Sequence, residues 1–318
     1  MSRRVLVTGS AGFLGRHICR ILRERGDTPI GLDVRGDDDA PYMQVVGSVT
    51  DLKAWETARE VDAVVHTAAL SGLWHPDPTQ FDVVNRGGCS EAARYAVRNK
   101  IPLVIISSYT VLMAVTTTEE TALTGAEVRN PDELIGPYAQ AKRRGEIEAL
   151  EIDPSAVILR PTALIGPGDD GPTPPMAMLR DVALAKLPGV MAGRINVVDV
   201  RDVAKAVLSV LDHPQTEGPY LISGYDLSLK AFAEQIARVA GVSPPMLEVP
   251  TFMARFASRA DHLLAGWQKR DVKAPRDGVE LALLPVTFDA SKAKAEIGFG
   301  PRPLEETIKD AVAYVQTP

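Results

Sequence analysis

The chain has 318 residues and a formal net charge of −6. Hydrophobic residues are 45% and charged residues 24%, a globular balance that excludes a mainly disordered chain. Acidic overall and free of any basic block, it is not built for nucleic acid or an anionic membrane as main partner.

The start, Met1-Ser-Arg-Arg, runs at once into Val5-Leu-Val7, too short for a signal-peptide core. No apolar run approaches the ~18 residues that span a bilayer. Cys19 and Cys89 sit in helical patterns and read as buried apolar groups rather than a disulfide framework. None of the four Asn lies in an Asn-X-Ser/Thr sequon. These features point to the cytoplasm.

In chain order, Val5–Thr8 is an apolar run that ends in a glycine cluster, and Phe13 to Arg25 is helical, stopped by Gly26. Pro29–Asp33, Met43–Val46, Ala63–His66 and Leu103–Ser107 read as further strands. Phe81 to Asn99 and Tyr138 to Leu150 read as long helices. Strands alternating with helices imply βαβ units, a parallel sheet and right-handed crossovers. Val157–Arg160 is one more strand, followed by a loop over 166–175, dense in Gly and Pro. Helices are expected at about 199–212, 228–240, 252–268 and 304–316, with Ser228 and Asp289 as N-caps.

The expected architecture is α/β, a Rossmann-type doubly wound parallel sheet with a smaller, mostly helical C-terminal substrate-binding part. Residues 1–165 would form the dinucleotide-binding domain, joined by a returning segment near 195–215. Residues 166–318 would form the substrate part, interleaved with the first.

Gly9, Gly12 and Gly15 stand at G-x-x-G-x-x-G spacing between the first strand and the first helix. Glycines let backbone approach a pyrophosphate, and the helix N-terminus offers it free N–H groups. Asp33 ends the second strand, where a carboxylate accepts from ribose hydroxyls and repels a 2′-phosphate. This favours NAD over NADP, although Arg35 is close enough in sequence to hold such a phosphate.

Tyr138 and Lys142 are four apart and share a helix face. A phenol is a poor base near neutral pH, and an ammonium beside it favours the phenolate, which makes a usable acid/base. Ser107 and Ser108 end a buried strand, and in such sheets ligands sit at the carboxyl ends of strands. A hydroxyl there would meet a substrate oxygen.

These pieces resemble the extended short-chain dehydrogenase/reductase family, within the NAD-dependent epimerase/dehydratase superfamily. The resemblance rests on Thr8–Gly15, Asp33, His66-Thr-Ala-Ala69, Asn85-Arg-Gly87, Ser107-Ser108-Tyr-Thr-Val111 and Tyr138–Lys142. It continues through Arg160-Pro161 to Gly166-Pro167, Val198-Asp-Val-Arg-Asp-Val203 and the tail Phe288-Asp-Ala-Ser-Lys-Ala-Lys294. It implies Ser108, Tyr138 and Lys142 as the catalytic set, with Lys142 also on the nicotinamide ribose. It implies a phosphate loop of Gly9, Gly12 and Gly15 with N–H groups from Phe13 and Leu14. Ala68, Ala69, Asn85, Ser107, Pro161 and Thr162 would line the cofactor. Where the family often has Gly-Asp, this chain has Gly47-Ser48, so the adenine contact falls to Ser48 or the backbone of Val49. Family members often dimerise through the helices that here are Phe81–Asn99 and Tyr138–Leu150, which implies a homodimer.

Two reactions fit this catalytic set. One interconverts a secondary alcohol and a ketone on a released small molecule; the other epimerises or dehydrates a nucleotide sugar with NAD retained. Candidate substrate residues are Leu70, Trp74, His75, Met113, Met176, Met178 and Arg194, a mostly apolar set. Ile135-Gly-Pro-Tyr138 and Leu73-Trp-His-Pro-Asp-Pro78 resemble the dihydroflavonol-reductase and 3β-hydroxysteroid-dehydrogenase branches, so the first reaction is favoured. No metal-ligand spacing occurs among the His and Cys. His66 reads as a hydrogen-bonded strand-end residue. Phe252, Phe256, Ala260, Leu263 and Trp267 fall at helical spacing and read as a packing face, with a lid or substrate wall as the alternative.

Overall fold

The computed structural model describes residues 2–317 except 38, 59, 172, 214–215, 269–271 and 273, together with the side chains at 263 and 266–268. The strands β1 (Arg4–Thr8), β2 (Thr28–Asp33), β3 (Met43–Val46), β4 (Ala63–His66) and β5 (Leu103–Ile106) stand close to where the apolar runs place them. With Val157–Pro161 and Tyr220–Ile222 they form a seven-stranded, all-parallel sheet. From one edge the order is Tyr220–Ile222, Val157–Pro161, β5, β4, β1, β2, β3, so the chain winds outward both ways from β1. A crevice opens at this reversal, at the carboxyl ends of β1 and β4.

The two faces of the sheet are covered separately. Val5, Val7, Val65, Val104 and Leu159 point to one face, against α1 (Phe13–Glu24) and the helix Val200–Asp212. Leu6, Val64, Ile105 and Ile158 point to the other, against Trp55 of α2 (Leu52–Thr57) and further helices. This period-two split explains why the strands read as continuous apolar runs: both faces are buried.

The Phe81–Asn99 helix starts earlier and is not uniform. It opens with α3 (Thr79–Phe81), passes through a π-helical turn over Asp82–Arg86, and continues as α4 (Gly87–Asn99). A π turn inserts one residue into the helical register, and an apolar pattern of period 3.6 carries no mark of it. The helix of Tyr138 begins two residues before the expected start, as α5 (Gly136–Ile152), and it packs beside α4.

The C-terminal part holds more strand than the sequence predicts. Ala163–Ile165, Arg194–Asp199 and Tyr225–Ser228 form a three-stranded sheet under helices Pro174–Ala183, Leu229–Ala240 and Leu304–Gln316. These strands are three to six residues long, too short for periodicity to declare them. Val286–Phe288 pairs with Thr121–Leu123, and Tyr220–Ile222 completes the large sheet, so late segments return twice to early ones. Ser228 caps its helix by accepting from Ala231 N–H at 3.0 Å. At the last short helix, Ser291–Ile297, Ala290 takes the N-cap position. Asp289, one residue further out, accepts from Ser291 N–H instead.

Phe252 and Phe256 do not pack inward: both face solvent on the helix Thr251–Gln268. The Leu263 and Trp267 side chains lie outside the described residues.

Candidate active site

The glycine loop closes on itself. Gly9 has φ +69°, and a Cβ there would fall 2.7 Å from Thr67 Oγ1 and 2.8 Å from Ala68 N. A Cβ on Gly15 would fall 2.0 Å from Gly9 O, so only hydrogen lets α1 sit on the loop. The α1 N-terminus has no side-chain cap at Gly12 and no acid in its first turn. Its first helical bond runs from Arg16 N to Gly12 O, 3.0 Å. The N–H groups of Phe13, Leu14 and Gly15 therefore precede the helical ladder and suit a phosphate.

Asp33 lies nearly buried at the end of β2. Its Oδ2 accepts from Ala11 N–H (3.1 Å) and its Oδ1 from Arg35 N–H (3.0 Å). The Arg35 side chain bends back, donating to Ala11 O at 3.3 Å, with its Nε 4.0 Å from Asp33 Oδ1. The guanidinium thus turns toward loop and carboxylate, an arrangement that suits ribose hydroxyls better than a 2′-phosphate. Loop, helix terminus and carboxylate together fit NAD. Ser48 and Val49 follow β3; the Ser48 hydroxyl accepts from Thr50 N–H, while Val49 is core and its carbonyl accepts from Trp55 Nε1.

Ala68, Ala69 and Leu70 follow β4 as a half-buried strip. Ala68 N–H donates to Thr8 Oγ1 (3.2 Å). Asn85, fully buried in the π turn, clamps Leu70 from both sides, accepting from its N–H (2.8 Å) and donating to its carbonyl (3.2 Å). Asn85 therefore shapes the strip through its backbone.

Tyr138 lies in the first turn of α5, edge-on to Phe81 at 5.9 Å and beside Tyr109. Burial, with Tyr138 adding to it, pushes the Tyr109 phenol up to about 12, which removes Tyr109 as a competing base. Lys142 is buried one turn on, and its Nζ donates to Ile106 O at 3.0 Å, the last carbonyl of β5. Two ammonium protons remain for other partners. The Ser108 Oγ accepts from Thr110 N–H (3.2 Å) and Thr110 Oγ1 (2.9 Å), which leaves its own proton to donate. Ser107 sits against Glu146 at a geometry short of a regular hydrogen bond. Pro161 ends its strand, and Thr162 N–H donates to Ile222 O at 3.1 Å.

The candidate substrate residues divide. Met113 and Met176 are core side chains, and Met178 packs against the same cluster as Met176. Leu70, Trp74 and His75 are half-buried in the loop after β4, where the His75 ring stands edge-on to Phe81 at 6.0 Å. Arg194 is exposed and faces Glu120 at 3.9 Å.

Two groups escape the sequence reading. Glu146, one turn beyond Lys142, is buried between Arg160 (Nε–Oε1 2.9 Å, Nη2–Oε2 2.7 Å) and Arg143 (2.9 Å). Burial pushes this carboxyl upward, but Arg160 and then the other donors outweigh it and hold it below the usual range. The i, i+4 spacing from Lys142 was the available signal; its partner on another strand was not. Asp277 is the second: its carboxylate lies against Gly136, two residues before Tyr138. Burial raises it above the ordinary Asp range, against the pull of Arg276 and His262. Gly136 has φ +81° and a Cβ there would fall 2.0 Å from Asp277 Oδ2, so glycine permits the approach.

His66 ends β4. Its Nδ1 lies 2.8 Å from Thr8 Oγ1, and its Nε2 is buried with no hydrogen-bond partner among the described residues. Burial, followed by the Lys142 charge, lowers it to about 3. Neither thiol is primed: burial pushes Cys19 to about 12 and Cys89 to about 11. Among the described residues no cluster of His, Cys, Asp and Glu is arranged to hold a metal.

The chain belongs to the NAD dependent epimerase/dehydratase family, whose model matches residues 5–223. It is an NAD-dependent enzyme of the extended short-chain dehydrogenase/reductase type. The match ends one residue after Ile222, so it takes in the seven strands of the large sheet but for Arg4. A Synechocystis sp. protein provisionally named dihydroflavonol 4-reductase is 26% identical, over 98% of this chain and 94% of its own. A UDP-glucose 4-epimerase of Vibrio cholerae is 24% identical, over 99% and 97%. The crystal structure of gox2253 superposes with a TM-score of 0.82 at 26% identity, covering 98% of each chain.

His66 gives stability a pH dependence. The folded imidazole stays neutral to about 3, while the unfolded one takes a proton below its ordinary 6.5. Stability is therefore full above 6.5 and falls as pH drops through that value toward 3. Urea midpoints measured from about pH 7 to 5 should decline, and His66→Gln should flatten that decline.

Proposed function

We propose that the enzyme interconverts a secondary alcohol and a ketone on an apolar small molecule, with Ser108, Tyr138 and Lys142 as its catalytic residues. The observation that carries this reading is the pairing of α5 with the end of β5. Lys142 binds Ile106 O two residues before Ser108, and Tyr138 stands one turn away on the same helix.

In the oxidising direction the Ser108 proton, free of its two Thr110 contacts, donates to the substrate oxygen. Tyr138 accepts the hydroxyl proton as phenolate. Lys142, one turn on along the same helix, keeps two ammonium protons for the cofactor ribose. NAD, when bound, takes up the hydride. Ketone reduction runs the same proton path in reverse. The Phe81 ring stands edge-on to Tyr138 at 5.9 Å and helps fix the phenol ring in place.

A diphosphate would need cations on the substrate side. Arg194 faces Glu120, and Arg180 faces Asp181 at 3.6 Å. Arg129 keeps a buried Nε without a protein partner among the described residues. One such group is thin provision for a nucleotide sugar, and the similarity to a dihydroflavonol reductase name agrees with the apolar reading. The Vibrio relative represents the alternative, an epimerase or dehydratase that retains NAD. The enzyme is further read as a cytoplasmic homodimer that pairs through α4 and α5, where Val97 of α4 is exposed.

Incubation with NAD and a panel of secondary alcohols and UDP-sugars should yield NADH from an alcohol. Isomerised sugar without net NADH would establish the alternative. Tyr138→Phe should lower kcat by roughly 10²–10⁴-fold while NAD binding, read by fluorescence titration, holds. Asp33→Ala should weaken NAD about tenfold or more and narrow the gap to NADP. Sedimentation velocity at micromolar concentration should show a dimer that a charge at Val97 dissociates.

A further inference from the structure

Two guanidinium groups belong to the surroundings of the glycine loop. Arg16 follows Gly15 in the first turn of α1, and Arg35 follows β2 and donates back to Ala11 O at 3.3 Å. These are the cations that a 2′-phosphate on the cofactor could recruit. Such a phosphate adds nearly two negative charges to the ribose that Asp33 is placed to accept from, so it needs a guanidinium free to meet it.

Both groups are already engaged. Asp170, in the loop after Ala163–Ile165, pairs through Oδ2 with Arg16 Nη2 at 2.6 Å. Its Oδ1 accepts from the Tyr314 hydroxyl on the helix Leu304–Gln316. The Tyr314 hydroxyl first, then Arg16 and Arg35, hold the Asp170 carboxyl below its ordinary range against the opposing effect of burial. Arg35 also faces Asp33, with Nε 4.0 Å from Oδ1. The two cations are thus shared between a carboxylate of the early chain, Asp33, and one of the late chain, Asp170.

The loop is built to hold Asp170 there. Gly168 has φ +96°, a backbone state that glycine takes readily. The Gly168 carbonyl accepts from Arg16 Nη2 at 2.7 Å, and the Pro167 carbonyl lies 2.8 Å from His17 Nε2. Asp169 is buried and accepts from Thr173 N–H (2.7 Å) and Thr173 Oγ1 (2.9 Å). Neighbouring carboxylates therefore take different tasks: Asp169 folds the loop, while exposed Asp170 crosses to α1. Exposed ion pairs contribute little to folding, but the charge they place acts on a phosphate within a Debye length.

We propose that Asp170 is a second cofactor-selecting residue, which with Asp33 keeps Arg16 and Arg35 from a 2′-phosphate and so holds the enzyme to NAD. The proposal rests on the NAD assignment and is independent of which substrate the enzyme takes. The whole chain is titrated with NAD and with NADP, followed by its intrinsic fluorescence, at low and at high salt. Asp170→Asn should shift the ratio of the two dissociation constants about threefold or more toward NADP, by tightening NADP, and raised salt should shrink the shift. Asp170→Glu, which keeps the charge, should leave the ratio as in the wild type. A gain in NADP binding does not come from damage to the fold, so this readout separates selection from support. An unchanged ratio in Asp170→Asn, or an equal loss of both cofactors, would overturn the proposal and leave Asp170 a strut between loop and α1. So would an equal gain in Asp170→Glu, because a displaced loop and not a charge would then be the cause. A wild type that favours NADP would sink the Asp33 argument as well, whereas a wild type that favours NAD with no response at Asp170 would leave selection to Asp33 alone.

Discussion

Glu146 is held ionised in the interior by two guanidinium groups, and the parts of the site hang from that contact. Arg160 belongs to the strand Val157–Pro161, and its remaining Nη1 donates to Gly125 O at 2.8 Å. Arg143 belongs to α5 and donates to Arg129 O at 3.0 Å. A single carboxylate thereby fixes helix, strand and loop against one another. The residue after Arg160 is Pro161, the residue beside Ser107 is Ser108, and one turn before Glu146 is Lys142. Breaking a buried pair of this kind leaves an uncompensated charge and costs about 3–5 kcal/mol, so α5 cannot turn or slide cheaply.

The electrostatics of the cleft follow from this anchoring. Lys142, Arg143 and Arg160 are three cations against one buried anion, so the ground beneath α5 is positive. Neutral His66 fits that field: its burial and the Lys142 charge both oppose a second positive charge there. Asp277 brings a carboxylate to the opposite wall from the C-terminal part, close to the start of α5. The surroundings of α5 are thus built from both the early and the late chain. Interleaving of the two, through Tyr220–Ile222 and Val286–Phe288, holds the walls in register.

The exposed stripe of Thr251–Gln268 is carried on a helix whose inner face is nearly featureless, so little of its own burial fixes its position. Ser258 and Asp261 bond the backbone of Ala274, and Arg255 pairs with Glu280 on the helix Arg276–Leu283, which reaches Gly136 and Leu73. Events at the surface are therefore one rigid element removed from Tyr138.

What the sequence determined by itself was the local chemistry. The large sheet was legible because its strands are buried on both faces and read as unbroken apolar runs, as in Val5–Thr8 and Leu103–Ile106. The places of Gly9, Gly15, Asp33, Tyr138 and Lys142 in loop, strand and helix were legible because they depend on spacing along one element. Tertiary structure alone decided the rest. Asn85 reaches Leu70 only through a π turn that leaves no pattern. Glu146 finds Arg160 across 14 residues and an intervening strand start. Asp277 meets Gly136 from the far end of the chain. Phe252 and Phe256 have the spacing of a core face, yet they point to water, because spacing fixes which residues share a side and not which side the rest of the molecule covers.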